Sequence, residues 1–328
     1  MLMGSSNSYF HPRKRLRASV ENGIDALRIK SVRAAVKLQK SRLSQNESRD
    51  IIWIIGDGRS GSTWLQNLFI QTNDYLGLFE PFHSFNPAAK NFQLNCYQRP
   101  GTQNDELERL ALDVFGLRVL NNRVVYINSV QSYQGLVVKD VFASLLAKWA
   151  LERLPHKVRP VILIRNPIDV ALSKCKHDDW LWESNPMTYL EMPGLQTDHL
   201  APLSDEIRST SEKNNPFLNH LLVWCILNRV LLNQFGEPDD MIIRYEDLQT
   251  IPVESTHDMM TRLGIDFDED SPQLRQAINR VSRVSDAAGV EHAKLPKTQR
   301  WMKSLKTADI DEAMRIVEKF DLLEWCAD

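Results

Sequence analysis

Five apolar residues, Ile51-Ile52-Trp53-Ile54-Ile55, run directly into Gly56-Asp57-Gly58-Arg59-Ser60-Gly61-Ser62-Thr63. A short apolar run rich in β-branched residues suits a strand buried on both faces, and residues 63–71 read as a helix. Strand, glycine-rich turn and helix form the context in which backbone N–H groups and a helix N-terminus cradle phosphate oxygens. Gly56, Gly58 and Gly61 permit the tight turn. Similar apolar runs recur at 136–138, 161–164 and 241–243, with helical patterns over 144–153, 168–176 and 218–235. Buried strands alternating with helices predict an α/β, P-loop-like three-layer fold, a central parallel sheet flanked by helices.

Charge divides the chain. Residues 1–50 hold eleven Lys and Arg against four Asp and Glu, although the whole chain carries a formal charge of -2. Apolar residues at helical spacing (Ile24, Leu27, Val32, Val36, Leu38) predict a helix within 18–43 of this basic arm. Such an arm can meet nucleic acid or anionic lipid. A helix packed on the body or on a second subunit is the plainer reading, so no nucleic-acid partner is expected and a homodimer stays open. The domain proper is expected over 51–328. Within it, about 178–216, Trp180, Trp182, Tyr189, Pro186, Pro193 and Pro202 stand among polar residues without a period. That predicts an irregular insertion, a lid or substrate loop or a plain surface segment.

Cys96, Cys175, Cys225 and Cys326 are scattered, which supports neither a disulfide framework nor a zinc site and suits a reducing compartment. The N-terminus lacks the apolar core of a signal peptide. The most apolar helical stretch, 221–232, contains Asn228 and Arg229 and is too short for a bilayer. A cytoplasmic protein without a membrane span is expected.

The loop has the G-x-x-x-x-G spacing of nucleotide P-loops, but Ser62 stands where their lysine follows Gly61. An NTPase places that lysine on the β- and γ-phosphates and the next hydroxyl on magnesium. Here the cation is Arg59, whose planar fork suits phosphate or sulfate. A P-loop kinase acting on a small molecule and a non-catalytic nucleotide-binding module remain as alternatives.

Arg59-Ser60-Gly61-Ser62-Thr63-Trp64-Leu65 resembles the 5′-phosphosulfate loop of sulfotransferases that use 3′-phosphoadenosine 5′-phosphosulfate (PAPS). Its arginine is closer in style to the carbohydrate sulfotransferases than to the cytosolic ones, which carry lysine there. Val161-Ile162-Leu163-Ile164-Arg165-Asn166-Pro167, with Ser173 eight residues after Arg165, resembles the family's 3′-phosphate motif. Ile243-Arg244-Tyr245-Glu246-Asp247-Leu248 looks like a third family segment, which would set Tyr245 against the adenine. Gln299-Arg300-Trp301-Met302-Lys303 looks like the basic-tryptophan segment that closes over the nucleotide. The resemblance implies that PAPS is the co-substrate, held by Arg59, Ser60, Gly61, Ser62, Thr63, Trp64, Arg165, Ser173, Tyr245, Arg300 and Trp301. It implies no metal, and a hydroxylated acceptor: a carbohydrate, a glycolipid or a small metabolite.

Sulfuryl transfer to a hydroxyl needs a group that takes the acceptor's proton. Cytosolic sulfotransferases use a histidine in a K-T-H segment. The corresponding stretch here is Val138-Lys139-Asp140-Val141, with valine in place of the histidine. Leu78-Phe79-Glu80-Pro81-Phe82-His83 resembles the F-E-P segment of carbohydrate sulfotransferases, in which a glutamate is a candidate base. Glu80 is the expected base, in apolar surroundings that would raise its pKa. His83 is its rival, Asp140 a third candidate, and Arg59 the group that stabilises charge.

Overall fold

The structure is a computed structural model. It describes residues 50–326 except 73, 122, 126–132, 156, 177–179, 181–182 and 280–304, and in the N-terminal arm residues 27, 30–32 and 34.

Among the described residues five strands form one sheet: β1 (Asp50–Gly56), β2 (Tyr75–Phe79), β3 (Gly135–Asp140), β4 (Val158–Ile164) and β5 (Ile242–Arg244). All pairings are parallel and the order is β2-β3-β1-β4-β5. Side chains alternate across β1. Ile51, Trp53 and Ile55 enter one core layer, and Ile52 and Ile54 enter the other. Fully burying one such side chain stabilises by about 1.5–3 kcal/mol, so a strand apolar on both faces is held by both layers.

The helices that cover the faces include α1 (Ser62–Thr72), α2 (Asp105–Phe115), α3 (Pro167–Cys175), α4 (Ser204–Ser211), α5 (Pro216–Gln234), α6 (Tyr245–Thr250), α7 (Pro252–Arg262), α8 (Pro272–Asn279) and α9 (Thr307–Lys319). Leu65, Leu68 and Phe69 of α1 join the Ile52 layer; Leu221, Trp224 and Leu227 of α5 join the Trp53 layer. Asparagine followed by proline starts both α3 and α5. Asn166 Oδ1 accepts from the N–H groups of Ile168 and Asp169, and Asn215 Oδ1 from Phe217 and Leu218.

The expected α/β three-layer architecture is the observed one. Strand β2, Tyr-Leu-Gly-Leu-Phe, escapes a sequence reading because Gly77 interrupts a run of only five residues. The pattern over 144–153 resolves into a 3-10 turn, Ser144–Leu146, and the short helix Ala147–Leu151. Within the expected irregular insertion, residues 187–211 are largely helical. Helical turns at Met187–Leu190, Pro193–Leu195, Gln196–Leu200 and Ala201–Leu203 lead into α4. Pro186, Pro193 and Pro202 punctuate these turns, which is why no long periodicity shows in the sequence. Most of the basic arm lies outside the described residues. Its described positions are helical, and Val32 is fully buried in the Trp53 layer. Among the described residues, no helix is long and apolar enough to cross a membrane.

Candidate active site

Parallel strands deliver the segments that follow them to one edge of the sheet. The ends of β1, β2, β3, β4 and β5 are Gly56, Phe79, Asp140, Ile164 and Arg244. The glycine loop, the 80–83 turn, the Lys139-Asp140 pair, Arg165 and Tyr245 therefore meet at the same edge.

The loop turns through left-handed backbone at Arg59 (φ 67°) and Gly61 (φ 89°) before α1 begins. Arg59 Nε donates to Ser173 Oγ at 2.9 Å. Arg165 Nη1 donates to the Arg59 carbonyl at 3.0 Å, and its guanidinium lies 4.9 Å from the Tyr245 ring centroid. The two anion motifs of the sequence, 106 residues apart, are thus joined. Arg165 also reaches Asp169 Oδ2 at 3.4 Å, and its carbonyl accepts from Trp224 Nε1. Ser60 Oγ and Arg165 Nε are buried and have no hydrogen-bond partner among the described residues.

Tyr245 covers the loop itself. A Cβ at Gly61 would lie 2.2 Å from its ring, so only glycine fits beneath it. Trp180 covers Gly58 in the same way, at 2.0 Å. Ser62 and Thr63 are buried at the start of α1, and Trp64 packs on the Ile52 layer. Arg300 and Trp301 lie outside the described residues.

Glu80 begins the turn after β2 in left-handed backbone, φ 47°, a conformation that costs a non-glycine residue roughly 1–3 kcal/mol. Its N–H donates to the Lys139 carbonyl at 2.7 Å, and its Oε1 accepts from Lys139 Nζ. Among the described residues nothing hydrogen-bonds Oε2. The expected apolar surroundings are corrected by Lys139. Phe79 does lie against the pair, 4.6 Å from Nζ, but the carboxylate faces an ammonium group.

Asp140 is fully buried, and both its oxygens are taken by the N–H groups of Phe82 and Phe142, at 2.8 Å each. Burial pushes its carboxyl up to about 7 against those bonds. It builds the 80–83 turn and is enclosed away from any acceptor. His83 stacks on Phe85, with centroids 4.3 Å apart, and its Nδ1 accepts the Phe85 N–H at 3.1 Å. Burial holds its pKa below the usual histidine range, so the ring is neutral at pH 7 with its proton on Nε2. That ring presents a donor to its surroundings and is poorly set to accept a proton.

One group went unnoticed in the sequence. Lys174, next to Ser173, is buried between Asp57 and Glu183. The signal was present: Lys174 stands at i+3 and i+4 from Ala171 and Val170, a lysine on the apolar stripe of a helix. Burial, and less so the second carboxylate, pushes Glu183 up to about 7. Burial opposes the Lys174 charge, but Asp57 and Glu183 outweigh it and keep the ammonium above its usual pKa.

Comparison with known proteins came to one family. The family model described as "Sulfotransferase domain" matches residues 49–304. No curated protein matches significantly. Among solved structures, the sulfotransferase domain from the Synechococcus PCC 7002 olefin synthase is 19% identical, over 84% of this chain and 96% of that one, with a TM-score of 0.46. The sulfotransferase domain from the curacin biosynthetic pathway is 18% identical, over 84% and 98%, with a TM-score of 0.46. A sulfotransferase from Alicyclobacillus acidocaldarius is 18% identical, over 84% and 96%, with a TM-score of 0.40. The family match carries the assignment; the likenesses to solved structures do not.

Proposed function

The chain belongs to the sulfotransferase domain family, and from that premise we propose that it moves the sulfuryl group of PAPS onto a hydroxyl of a carbohydrate, a glycolipid or a hydroxylated small metabolite. The observation behind the residue assignment is the gathering of Arg59, Arg165 and Ser173 at one sheet edge, with Arg59 Nε 2.9 Å from Ser173 Oγ. Two guanidinium forks, the hydroxyls of Ser60, Ser62 and Thr63 and the loop amides make a donor set suited to phosphate and sulfate. The unpartnered Ser60 Oγ and Arg165 Nε fit a site whose remaining partner is an anion.

When bound, PAPS supplies a sulfuryl group carried on a phosphate leaving group. Arg59 and the loop amides bind the 5′ side and offset negative charge there. Arg165, with Ser173, holds the 3′-phosphate, and Tyr245 braces both by its contacts with Arg165 and Gly61. Glu80 takes the acceptor's proton at Oε2, while Lys139 fixes the carboxylate through Oε1. His83 helps to shape the turn beside it. The arginine form of the loop and the F-E-P segment favour carbohydrate acceptors within the three classes.

Incubation with sulfur-labelled PAPS, a chelator and alcohols from the three classes tests this reading. It predicts label in a sulfate ester of at least one class. Intact PAPS with every acceptor would contradict it.

A further inference from the structure

Behind the phosphate loop lies a charge cluster that the transfer chemistry does not touch. Lys174 Nζ donates to Asp57 Oδ1 at 2.6 Å and to Glu183 Oε2 at 2.5 Å. Asp57 Oδ1 also accepts the Gly58 N–H at 2.6 Å. Glu183 Oε1 accepts from Asn95 Nδ2 at 2.9 Å, and the same amide lies 3.1 Å from the Tyr189 hydroxyl. The Trp180 ring, three residues before Glu183, sits over Gly58 and 5.2 Å from Nζ.

Packing does not account for this cluster, because the cost of taking a lysine and two carboxyl groups out of water is rarely repaid by their attraction. Its connections are geometric. Ser173 and Lys174 are consecutive on α3 and grip the loop from two sides: Ser173 holds the Arg59 side chain, and Lys174 holds Asp57 and through it the Gly58 amide. Lys174 also ties the loop to Glu183, three residues after the Trp180 that covers Gly58. Among the described residues Asp57 Oδ2 is buried without a partner, and the carboxylate is held through Oδ1.

We infer that Lys174 is a positioning residue for the transfer reaction. It holds the 57–60 backbone ready for the nucleotide and links the position of Glu183 to the loop through Asp57. The inference rests on assigning that loop to PAPS.

The test is calorimetric titration of adenosine 3′,5′-bisphosphate into the full chain and into Asp57→Asn, Glu183→Gln and the double variant. Losses of about tenfold for Asp57→Asn and about threefold for Glu183→Gln are expected, with unchanged stoichiometry. Because both act through Lys174, the double variant should stay within about twofold of Asp57→Asn. Should Asp57→Asn not fold, Lys174→Arg takes its place in the cycle. Affinities equal to the parent's alongside a lowered Tm would make the cluster a scaffold only and overturn the inference. Losses that multiply to about thirtyfold would overturn it too, since the two carboxylates would then act independently. If the parent chain takes no nucleotide at all, the assignment of the site fails instead.

Discussion

Two groups of one lysine and two carboxylates flank the phosphate loop, and they differ in what they enclose. Lys174 and Glu183 lie behind the loop and Asp57 within it, with side chains 0, 1 and 1% exposed. Lys139, Glu80 and Asp140 stand at the ends of β2 and β3. There Lys139 is 4% exposed and Asp140 sealed, but Glu80 keeps 14% of its side chain accessible. The first group spends its hydrogen bonds on the loop backbone, on Asn95 and on its own members, which suits it to fixing geometry. The second leaves Glu80 Oε2 without a partner among the described residues, which suits it to moving a proton. The proposed division of the same residue types into positioning and chemistry thus turns on whether one oxygen is reachable.

The largest effect that would break this contrast is on turnover. Glu80→Gln keeps the shape of the turn but cannot accept a proton, so kcat should fall by about 10²–10⁴-fold with nucleotide affinity retained. Steady-state kinetics with any accepted alcohol measures it, and near-normal turnover would remove Glu80 from the chemistry. Lys174→Met should act on stability, because two buried carboxylates lose their counter-charge. Denaturant unfolding of the ligand-free chain should show a loss of about 3–5 kcal/mol.

A pH series sharpens the same distinction. The Glu183 carboxyl is raised to about 7 in the folded chain from the ordinary 4.5. The folded state therefore holds its proton longer than the unfolded one, and this group's contribution to stability falls as pH rises from about 4.5 to about 7. Glu183→Gln lacks that loss. Its stability relative to the parent should rise across this window, by at most about 3 kcal/mol, and level off above it. A relative stability independent of pH would mean that Glu183 is not held protonated by burial. The smallest effect is expected for His83→Ala. Its ring is neutral and uses Nδ1 on the Phe85 N–H, so kcat should stay within about tenfold of the parent.

Legibility followed contiguity. The loop, Arg165 with Ser173, and Tyr245 could be read because each sits within a dozen residues of a β-branched strand whose parallel partners bring it to the same edge. The strand order needs pairing across long separations, such as Ile55 with Asp140, and no local pattern encodes it. Lys139 as the partner of Glu80, and Lys174 as the partner of Asp57 and of Glu183, are contacts across 59, 117 and 9 residues. Their trace in the sequence is only a charge on an apolar stripe. Tyr245 shows the limit of reading by resemblance: the motif sets it against an adenine, whereas its contacts with Gly61 and Arg165 are not revealed by any motif.

The central claim is that the edge formed by Arg59, Arg165 and Ser173 is a nucleotide site built from protein cations. Titrating adenosine 3′,5′-bisphosphate, with a chelator present, into the parent chain and into Arg165→Ala tests it most directly. A Kd near 1 μM, about -8 kcal/mol, is expected for the parent. The variant should lose roughly 1.5–3 kcal/mol, because it gives up hydrogen bonds to a charged phosphate. Binding that requires magnesium and prefers ATP, or an Arg165→Ala chain that binds as tightly as the parent, would contradict the claim.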